Sequence, residues 1–366
     1  MMYDTMYKVG FGVIGAGYWG PHLIRNVSDN PDARLVSIAD LSLDRLQALQ
    51  RRYPHVAMTQ NHRELLDDPE VDAVILATPV KTHYALAKEA MEAGKHVLIE
   101  KPMVRKSTEA QDLIHLAAQR DLVLMVGHTF EYNPAVVSLR DIVKSGQIGT
   151  TFYVDAARLN LGQFRTDVNV IWDLAPHDIS IMNFILESEP THVSARGNSC
   201  IHEHIHDVAY IEMKYPQGIT GHIHVSWLEP CKVRRFTVVG DEKMVVYNDV
   251  AAEEKLRIYD KGVIKTTSSG DFADFQLGYH YGGVHIPAVP GGEPLKLEIA
   301  HFIECIVTGV QPRTDGWSGL RVTRVLEAAD KSLQNGGSLE RIATNDSFEM
   351  IKGAGPAWHD RRVVEA

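Results

Sequence analysis

The first third of the chain, from Lys8 to Gly127, alternates short apolar runs with amphipathic segments. Continuous apolar runs are typical of parallel strands buried on both faces, and the amphipathic segments between them predict helices, as in βαβ units. The predicted strands lie near Gly10 to Ile14, Leu35 to Ala39, Ala73 to Ala77, His96 to Ile99 and Leu122 to Val126. One helix is predicted at Tyr84 to Ala93, with Gly94 as its C-cap. This pattern predicts an α/β, doubly wound parallel sheet.

The pattern changes after a helix predicted at Asn133 to Lys144. Short β-rich segments then follow one another, which indicates an α+β domain with a large, mainly antiparallel open sheet. The predicted strands are Thr151 to Arg158, Val193 to Ser199, Val208 to Tyr215, Thr220 to Trp227 and Phe236 to Val239. Ser268 to Pro294, rich in Gly, Pro and aromatic residues, predicts a long irregular loop. Two late helices are predicted, at Leu295 to Val307 and Leu320 to Leu333.

Composition narrows the possible functions. The chain has 366 residues and a net charge of -10, without a block of Lys and Arg, which argues against nucleic acid as a partner. No apolar stretch reaches the length needed to span a membrane, and residues 1–9 lack the apolar region of a signal peptide, so we expect a cytoplasmic protein. Cys200, Cys231 and Cys305 are too widely spaced for a disulfide framework or a Cys-x-x-Cys site.

A glycine-rich turn predicts a dinucleotide site. Gly15-Ala16-Gly17-Tyr18-Trp19-Gly20 follows a predicted strand and opens a predicted helix, so that a pyrophosphate can approach the helix N-terminus. Asp40 lies 20 residues past Gly20, where a carboxylate accepts hydrogen bonds from an adenosine ribose and repels a 2′-phosphate. NAD is therefore the favoured cofactor, and nearby Arg45 leaves NADP as the alternative. The alternative is that the glycines only form a turn and Asp40 caps a helix.

Polar residues also follow the other predicted strands of this half. Thr78-Pro79 and His83 follow the third predicted strand, Glu100-Lys101-Pro102 the fourth, and Gly127-His128 the fifth. Ligands of open parallel sheets bind beyond the carboxyl ends of the strands. We therefore expect these groups to converge on one edge of the sheet.

Together with Asp173-Leu174-Ala175-Pro176-His177, these motifs resemble the Gfo/Idh/MocA oxidoreductase family over nearly the whole chain. Ala175 departs from relatives that often carry Gly. The resemblance implies a Rossmann NAD-binding domain at 7–128, a substrate-binding and oligomerisation domain at 129–345 and a tail at 346–366. It implies a homodimer or homotetramer. It also implies these cofactor-binding residues: Gly15, Gly17, Tyr18, Trp19, Gly20, Asp40, Thr78, Pro79, His83, Glu100, Lys101 and His128.

The same resemblance implies the catalytic residues. Lys101 would hydrogen-bond the reacting oxygen, and in relatives it also positions the cofactor. His177 would act as general base, since imidazole titrates near neutral pH, and Asp173 would orient it or bind the substrate. Tyr132 and Asn133 are further candidates for substrate binding.

The relation between Asp173 and His177 depends on the local helix. A single helix would put both on one face at a spacing of four, with Ser180 next along the stripe. Pro176 favours instead a helix that starts near itself, with Asp173 just upstream.

Histidines and arginines elsewhere suggest further sites. His202, His204 and His206, and then His222 and His224, alternate in segments predicted as strands, so that each set would share a sheet face. No cysteine or carboxylate set completes a metal shell there, and we expect no metal. Arg234 and Arg235 would either reach a substrate diphosphate or be exposed strand residues.

The predicted function is hydride transfer between NAD and a hydroxyl or keto carbon of a sugar. Likeness to members that oxidise the 3-hydroxyl of nucleotide-linked sugars favours such a substrate. That likeness lies in the Tyr18-Trp19-Gly20 turn, Gly127-His128-Thr129-Phe130, Tyr132-Asn133-Pro134 and Trp172-Asp173. The alternatives are an inositol or free-sugar dehydrogenase, an NAD-dependent glycosidase and a non-catalytic NAD-binding sensor.

Overall fold

The computed structural model of the protein describes residues 8–265 and 277–343. The helices are α1 Gly20–Ser28, α2 Leu43–Arg52, α3 His62–Leu66, α4 His83–Glu92, α5 Ser107–Arg120, α6 Pro134–Lys144, α7 Val170–Leu186, α8 Pro294–Thr308 and α9 Gly316–Gln334. The first strands are β1 Val9–Ile14, β2 Ala33–Ala39, β3 Ala57–Thr59, β4 Ala73–Leu76, β5 His96–Glu100, β6 Leu124–Gly127 and β7 Thr151–Leu159. The later strands are β8 His192–Asn198, β9 Val208–Lys214, β10 Thr220–Ser226, β11 Val233–Gly240, β12 Met244–Asn248, β13 Leu256–Lys265, β14 Leu277–His285 and β15 Glu340–Arg341. The predicted tail at 346–366 lies outside the described residues.

The chain divides into two compact units. Within the described residues, unit 1 comprises 8–129 and Glu293–Thr323, and unit 2 comprises Phe130–Gly292 and 324–343. The first domain predicted from the sequence ended at residue 128 and did not include the later segment. Since the chain returns to unit 1, α8 and the first part of α9 belong with the N-terminal sheet.

Unit 1 is built on a six-stranded sheet in the order β3-β2-β1-β4-β5-β6, with every pair parallel. All residues of β1 and β4 are buried, which explains why they read as unbroken apolar runs. The predicted doubly wound sheet is thus confirmed. The strand β3, which has only three residues and pairs with β2, was not predicted from the sequence.

The late segment of unit 1 completes its core. On α8, Phe302 packs against Phe11 of β1, with ring centroids 6.0 Å apart. Thr314 then exchanges hydrogen bonds with Val126 of β6: the Val126 N–H donates to the Thr314 carbonyl at 2.7 Å, and the Thr314 hydroxyl donates to the Val126 carbonyl at 2.7 Å. These contacts cover one face and the outer edge of the parallel sheet.

Unit 2 contains a nine-stranded sheet in the order β14-β13-β12-β11-β7-β10-β9-β8-β15. Its pairs are antiparallel except for β7 and β10, which run parallel. Along β9, buried and exposed residues alternate, so one face lies against the core and the other is open. The predicted large, mainly antiparallel open sheet is confirmed.

Two details of the sequence prediction were wrong in unit 2. Part of the predicted loop Ser268 to Pro294 is the strand β14, which pairs with β13; residues 268–276 lie outside the described part of the chain. The segment with His202, His204 and His206 is a loop rather than a strand. It contains one isolated bridge between His202 and Ile205, and His204 has a φ of 66°.

Within residues 8–265 and 277–343, no helix combines the length and apolar character needed to cross a membrane.

Candidate active site

The glycine-rich turn has the geometry of a nucleotide cradle. Gly15 has a φ of +104°, and a β-carbon there would lie 2.6 Å from the Ala77 carbonyl oxygen. A β-carbon on Gly20 would lie 2.2 Å from the Gly15 carbonyl oxygen. At Gly17 the nearest atom would be Arg45 Nη1, 3.9 Å away. The first and third glycines therefore permit close packing, and the second leaves room for a ligand.

Helix α1 begins at Gly20 beside this turn. The preceding residue, Trp19, makes no side-chain hydrogen bond to the first turn of the helix. Pro21 has no N–H, and the His22 and Leu23 N–H groups donate to the Trp19 carbonyl, so what this end of the helix offers an anion is mainly the partial positive charge of a helix N-terminus. Tyr18 is largely exposed beside it and Trp19 is partly exposed. The turn and the helix start fit the pyrophosphate of NAD.

Asp40 follows β2 and contacts the glycine turn. Its Oδ2 accepts the Ala16 N–H at 2.6 Å, and its Oδ1 accepts the Ser42 N–H at 2.8 Å. Arg45 lies 3.7 Å from Oδ2 as an exposed partner. The carboxylate therefore orders the turn itself, and each of its oxygens can accept a further hydrogen bond. Binding of an adenosine ribose by Asp40 stays a prediction.

His83 joins two loops at the carboxyl ends of neighbouring strands. Its Nδ1 lies 2.9 Å from the Pro102 carbonyl oxygen, and its Nε2 lies 2.8 Å from the Thr78 carbonyl oxygen. Burial lowers the pKa of His83, so the ring is neutral and only one of these nitrogens donates at a time. His83 thus holds the Thr78-Pro79 loop to the loop that carries Lys101. Direct contact with the cofactor stays a prediction.

Glu100 and Lys101 end β5. The Glu100 carboxylate is buried and accepts the Lys101 N–H at 3.1 Å. Burial raises the pKa of Glu100 to about 7, against the opposing charge of Lys101. Trp19 also opposes this rise slightly, so its side chain lies near the carboxylate. Glu100 therefore lies beside residues of both loops that carry predicted cofactor contacts.

His128 follows β6, and its ring is almost completely buried. Within the described part of the chain, neither ring nitrogen has a hydrogen-bond partner. Burial, with smaller contributions from the charges of Lys101 and Arg321, lowers the pKa of His128 to about 3. The imidazole is therefore neutral and has one donor and one acceptor available. Next to it, the Thr129 hydroxyl donates to buried Glu298 at 2.8 Å.

In unit 2, α7 runs unbroken from Val170 to Leu186, with Pro176 inside it. Asn169 caps the helix by accepting the N–H groups of Ile171 and Trp172. Pro176 lies in the second turn and removes the hydrogen bond that an N–H there would donate to the Trp172 carbonyl, a loss that the Asn169 cap helps to offset. Of the two alternatives left by the sequence, the single helix is therefore correct.

Asp173, His177 and Ser180 form one stripe along α7, because their spacings of four and three bring them to the same face. The buried Ser180 hydroxyl donates to Glu131 at 2.9 Å. At the other end of the stripe, Asp173 Oδ2 accepts the indole N–H of Trp227 at 2.9 Å, and Arg165 lies 3.7 Å from Oδ1. The helix thus holds the predicted acid–base pair on one surface.

The ring of His177 is half-buried and its Nδ1 atom is buried. It packs edge-to-face with Phe130, with ring centroids 5.0 Å apart. Phe130 in turn lies under the guanidinium groups of Arg158 and Arg234, 4.6 and 5.8 Å from its ring centroid. Arg158 forms a buried two-pronged ion pair with Asp178 at 2.7–3.0 Å. Arg158 and Asp178 were not among the residues singled out from the sequence, whereas Phe130 and Arg234 were named there without any link to His177.

Tyr132 and Asn133, predicted to bind substrate, are both buried. Asn133 Oδ1 caps α6 by accepting the Ala135 N–H at 3.0 Å, and its amide donates to the Tyr247 hydroxyl at 3.1 Å. These two hydrogen bonds give Asn133 a structural role in unit 2. Substrate contact by either residue stays a prediction.

The remaining candidates lie apart from the α7 stripe or have other partners. His222 and His224 share a face of β10, where His222 bonds Asp155 at 2.9 Å. Arg234 pairs with Asp249, whereas Arg235 is exposed. In the part of the chain that the structure describes, no group of three His, Cys, Asp or Glu side chains is arranged to hold a metal ion.

Comparison with known proteins identifies the family. The model of the GFO_IDH_MocA oxidoreductase family, NAD-binding Rossmann fold, matches residues 9–128, and that of the GFO/IDH/MocA C-terminal domain matches residues 136–246. UDP-N-acetylglucosamine 3-dehydrogenase of Acidithiobacillus ferrooxidans is 31% identical over 265 residues, which cover 69% of this chain and 76% of that protein. The chain belongs to the Gfo/Idh/MocA family. It is an NAD-binding oxidoreductase, and the predictions of family, enzyme class and cofactor are confirmed.

Other relatives agree with this assignment. The NAD-dependent scyllo-inositol 2-dehydrogenase of Bacillus subtilis is 26% identical over 90% of this chain and 95% of that protein. Among solved structures, the UDP-N-acetylglucosamine 3-dehydrogenase GnnA of A. ferrooxidans superposes with a TM-score of 0.74 and 25% identity, covering 90% of this chain and 99% of that one. GenD2 from gentamicin A biosynthesis, solved with NAD, has a TM-score of 0.78 at 21% identity and covers 94% and 99% of the two chains; it supports the fold.

Proposed function

We propose that this Gfo/Idh/MocA oxidoreductase transfers hydride between NAD and a hydroxyl-bearing carbon of a nucleotide-linked sugar. The observation that carries the proposal is the pairing of Asp173 and His177 on one face of α7, with the carboxylate held by Trp227. Hydride transfer needs a group that moves the hydroxyl proton, and this pair supplies one. The 31% identity to a UDP-N-acetylglucosamine 3-dehydrogenase favours a nucleotide-linked substrate.

The roles follow from the chemistry of the side chains. Bound NAD supplies the hydride acceptor or donor. The Lys101 ammonium donates a hydrogen bond to the reacting oxygen and stabilises negative charge that develops on it. His177 removes the hydroxyl proton, and we assign this step to Nε2 because Nδ1 is buried. Asp173 binds a substrate hydroxyl or orients the imidazole.

We assign the NAD contacts to the glycine turn and its surroundings. Gly15, Gly17 and Gly20 shape the cradle for the pyrophosphate, and Asp40 receives a ribose hydroxyl while it orders the turn. Neutral His128, which can both donate and accept, is assigned to the nicotinamide end. The residues that flank these positions complete the proposed set: Tyr18, Trp19, Thr78, Pro79, His83 and Glu100.

A second candidate substrate is an inositol or a free sugar. The scyllo-inositol dehydrogenase of B. subtilis matches nearly the full length of this chain, which gives this alternative direct support. The same acid–base pair would serve either substrate. An NAD-dependent glycosidase would differ from both, because it regenerates NAD within each turnover and accumulates sugar product without net NADH.

Substrate trials with NAD test the proposal. The purified protein is mixed with NAD and, separately, with UDP-sugars, free sugars and inositols, and NADH absorbance is followed. NADH formation with a UDP-sugar, lost in Lys101→Ala and retained in the exposed control Lys106→Ala, is the expected result. Turnover of inositols alone would support the second candidate. NAD binding without NADH formation in any mixture, together with no NADH consumption when keto sugars are mixed with NADH, would refute hydride transfer between NAD and these substrates.

Self-association is proposed through the open face of the unit 2 sheet. Tyr153 on β7 and Tyr210 on β9 are about half exposed there, at 45% and 50%. Large exposed aromatic residues are enriched where proteins associate. Sedimentation velocity should give a dimer or tetramer, and Tyr210→Glu should shift it towards the monomer. A monomeric wild-type protein would contradict this proposal.

A further inference from the structure

Two aromatic side chains from outside α7 contact the two members of the predicted acid–base pair. Trp227 follows β10 and reaches Asp173, and Phe130 follows the end of β6 and reaches His177. We propose that Trp227 and Phe130 are positioning residues that fix the orientations of the Asp173 carboxylate and the His177 imidazole. This inference rests on the proposed function, since it concerns the residues assigned there to proton transfer.

The contact from Trp227 is rigid and directional. Trp227 is only 1% exposed, and its backbone N–H donates to the Asp207 carbonyl at 2.9 Å, which fixes the residue at both ends. Its ring also packs edge-to-face with Phe164, at 5.9 Å between centroids. The indole N–H therefore points at Asp173 Oδ2 from a fixed position and leaves the carboxylate little rotational freedom. Arg165, which also pairs with Asp173, is half exposed at 48% and constrains it much less.

Two cation–π contacts hold the ring of Phe130 in place. The guanidinium of Arg158 over the ring is itself fixed by the buried ion pair with Asp178, the residue after His177 on α7. Arg234, the second cation over the ring, is paired with Asp249. A guanidinium over an aromatic face is attractive, so movement of Phe130 would disturb two such contacts. Both cations thus have a carboxylate partner, and Asp249 also pairs with Lys255.

Such supports matter because a helix fixes only the backbone of its residues. The imidazole of His177 and the carboxylate of Asp173 can still rotate about their side-chain bonds. Proton transfer requires the accepting nitrogen within hydrogen-bond reach of the hydroxyl, and misplacement by about 1 Å can reduce the rate by about 100-fold. Side chains that block these rotations thus contribute to catalysis without touching the substrate.

The same helix offers matched controls. Trp172 on α7 also donates its indole N–H to a carboxylate, that of Asp330, away from the acid–base stripe. Phe184 on α7 also lies under a guanidinium, that of Arg140, at 4.8 Å. Trp172→Phe and Phe184→Leu therefore remove the same types of interaction from the same helix. A general effect on α7 would appear in these variants as well.

The first test uses NMR of the full-length protein and needs no substrate. The chain has five Trp residues, so Trp227→Phe identifies the indole N–H resonance of Trp227 by its loss. Asp173→Asn should move that resonance upfield, because an amide accepts a hydrogen bond less strongly than a carboxylate, whereas Trp172→Phe should leave it in place. If the Trp227 resonance does not move in Asp173→Asn, the positioning role proposed for Trp227 is wrong.

The imidazole resonances of His177, identified by their loss in His177→Asn, report on Phe130. Phe130→Leu should shift and broaden them, since the neighbouring ring that orients the imidazole is gone. Phe130→Tyr, which keeps the ring, and the control Phe184→Leu should leave them close to wild type. Unchanged His177 resonances in Phe130→Leu would overturn the role of Phe130.

The second test is kinetic and uses NAD with UDP-N-acetylglucosamine or with another sugar that the substrate trials identify. Trp227→Phe and Phe130→Leu should each lower kcat by about 10- to 100-fold with little change in KM. Phe130→Tyr should restore most of kcat, and both controls should stay close to wild type. Equal losses in the positioning and control variants would overturn the inference. If no sugar is turned over, the proposed function fails, and the NMR results alone decide whether the two side chains are oriented as proposed.

Discussion

The buried carboxyl of Glu100 predicts a specific dependence of stability on pH. Burial raises its pKa from 4.5 to about 7, and at about 1.4 kcal/mol for each pKa unit this corresponds to about 3 kcal/mol. Because the folded state binds the proton more tightly than the unfolded state, this contribution to stability is present at low pH. It is lost as the pH rises through the window between these two values.

The perturbation is Glu100→Gln, which keeps the shape of the side chain and removes its charge. In the NAD-free protein, the variant should be about as stable as wild type at about pH 5. At about pH 8 it should be more stable, by about 2 to 3 kcal/mol, because wild type must then bury a carboxylate. Urea unfolding followed by circular dichroism at the two pH values measures the difference.

Glu89→Gln is the control, since hydrogen bonds from His62 and Arg63 lower the pKa of Glu89. Loss of that carboxylate should leave the protein no more stable than wild type near neutral pH. The reasoning about Glu100 would be refuted if the difference between wild type and Glu100→Gln were the same at both pH values. That result would mean that the Glu100 carboxyl titrates alike in the folded and unfolded states.

Three further substitutions have expected outcomes. Gly15→Ala should abolish NAD binding, measured by isothermal titration calorimetry, because the added β-carbon meets the Ala77 carbonyl at 2.6 Å and the φ of +104° is strained for alanine; binding at wild-type affinity would contradict the role of the turn. Asp178→Asn should lower the free energy of unfolding by about 3 to 5 kcal/mol, since it leaves the buried Arg158 without its charged partner; a loss below about 1 kcal/mol in urea unfolding would contradict this. Asn169→Ala should cost about 1 kcal/mol through loss of the α7 cap, and an unchanged urea midpoint would show that the cap contributes nothing.

The sequence predicts unit 1 well because strands that are buried on both faces consist mainly of consecutive apolar residues. The strands β1 and β4 are buried throughout, and β5 is apolar from Val97 to Ile99. A glycine turn follows β1, and polar residues follow β4 and β5. In unit 2 the strands have exposed residues, so their hydrophobic pattern is weaker. β14 is rich in Gly and aromatic residues with an exposed face, which is also how an irregular loop reads.

The support of the acid–base stripe could not be predicted, because its contacts are distant in sequence. Trp227 and Asp173 are 54 residues apart, and no local period relates them. Whether α7 continues through Pro176 could not be predicted either, because this depends on whether the Asn169 cap offsets one lost hydrogen bond. Motifs and the family resemblance nominate candidate reacting residues, whereas the tertiary fold determines which side chains support them.

The return of the chain to unit 1 has a consequence for synthesis on the ribosome. The six strands of the parallel sheet are made first, but α8, which covers Phe11 with Phe302, emerges only after the whole of Phe130–Gly292. Nascent unit 1 therefore exposes apolar surface while unit 2 is being translated. Because such surface favours aggregation, folding of this chain should depend on a chaperone or on fast elongation between Thr129 and Glu293.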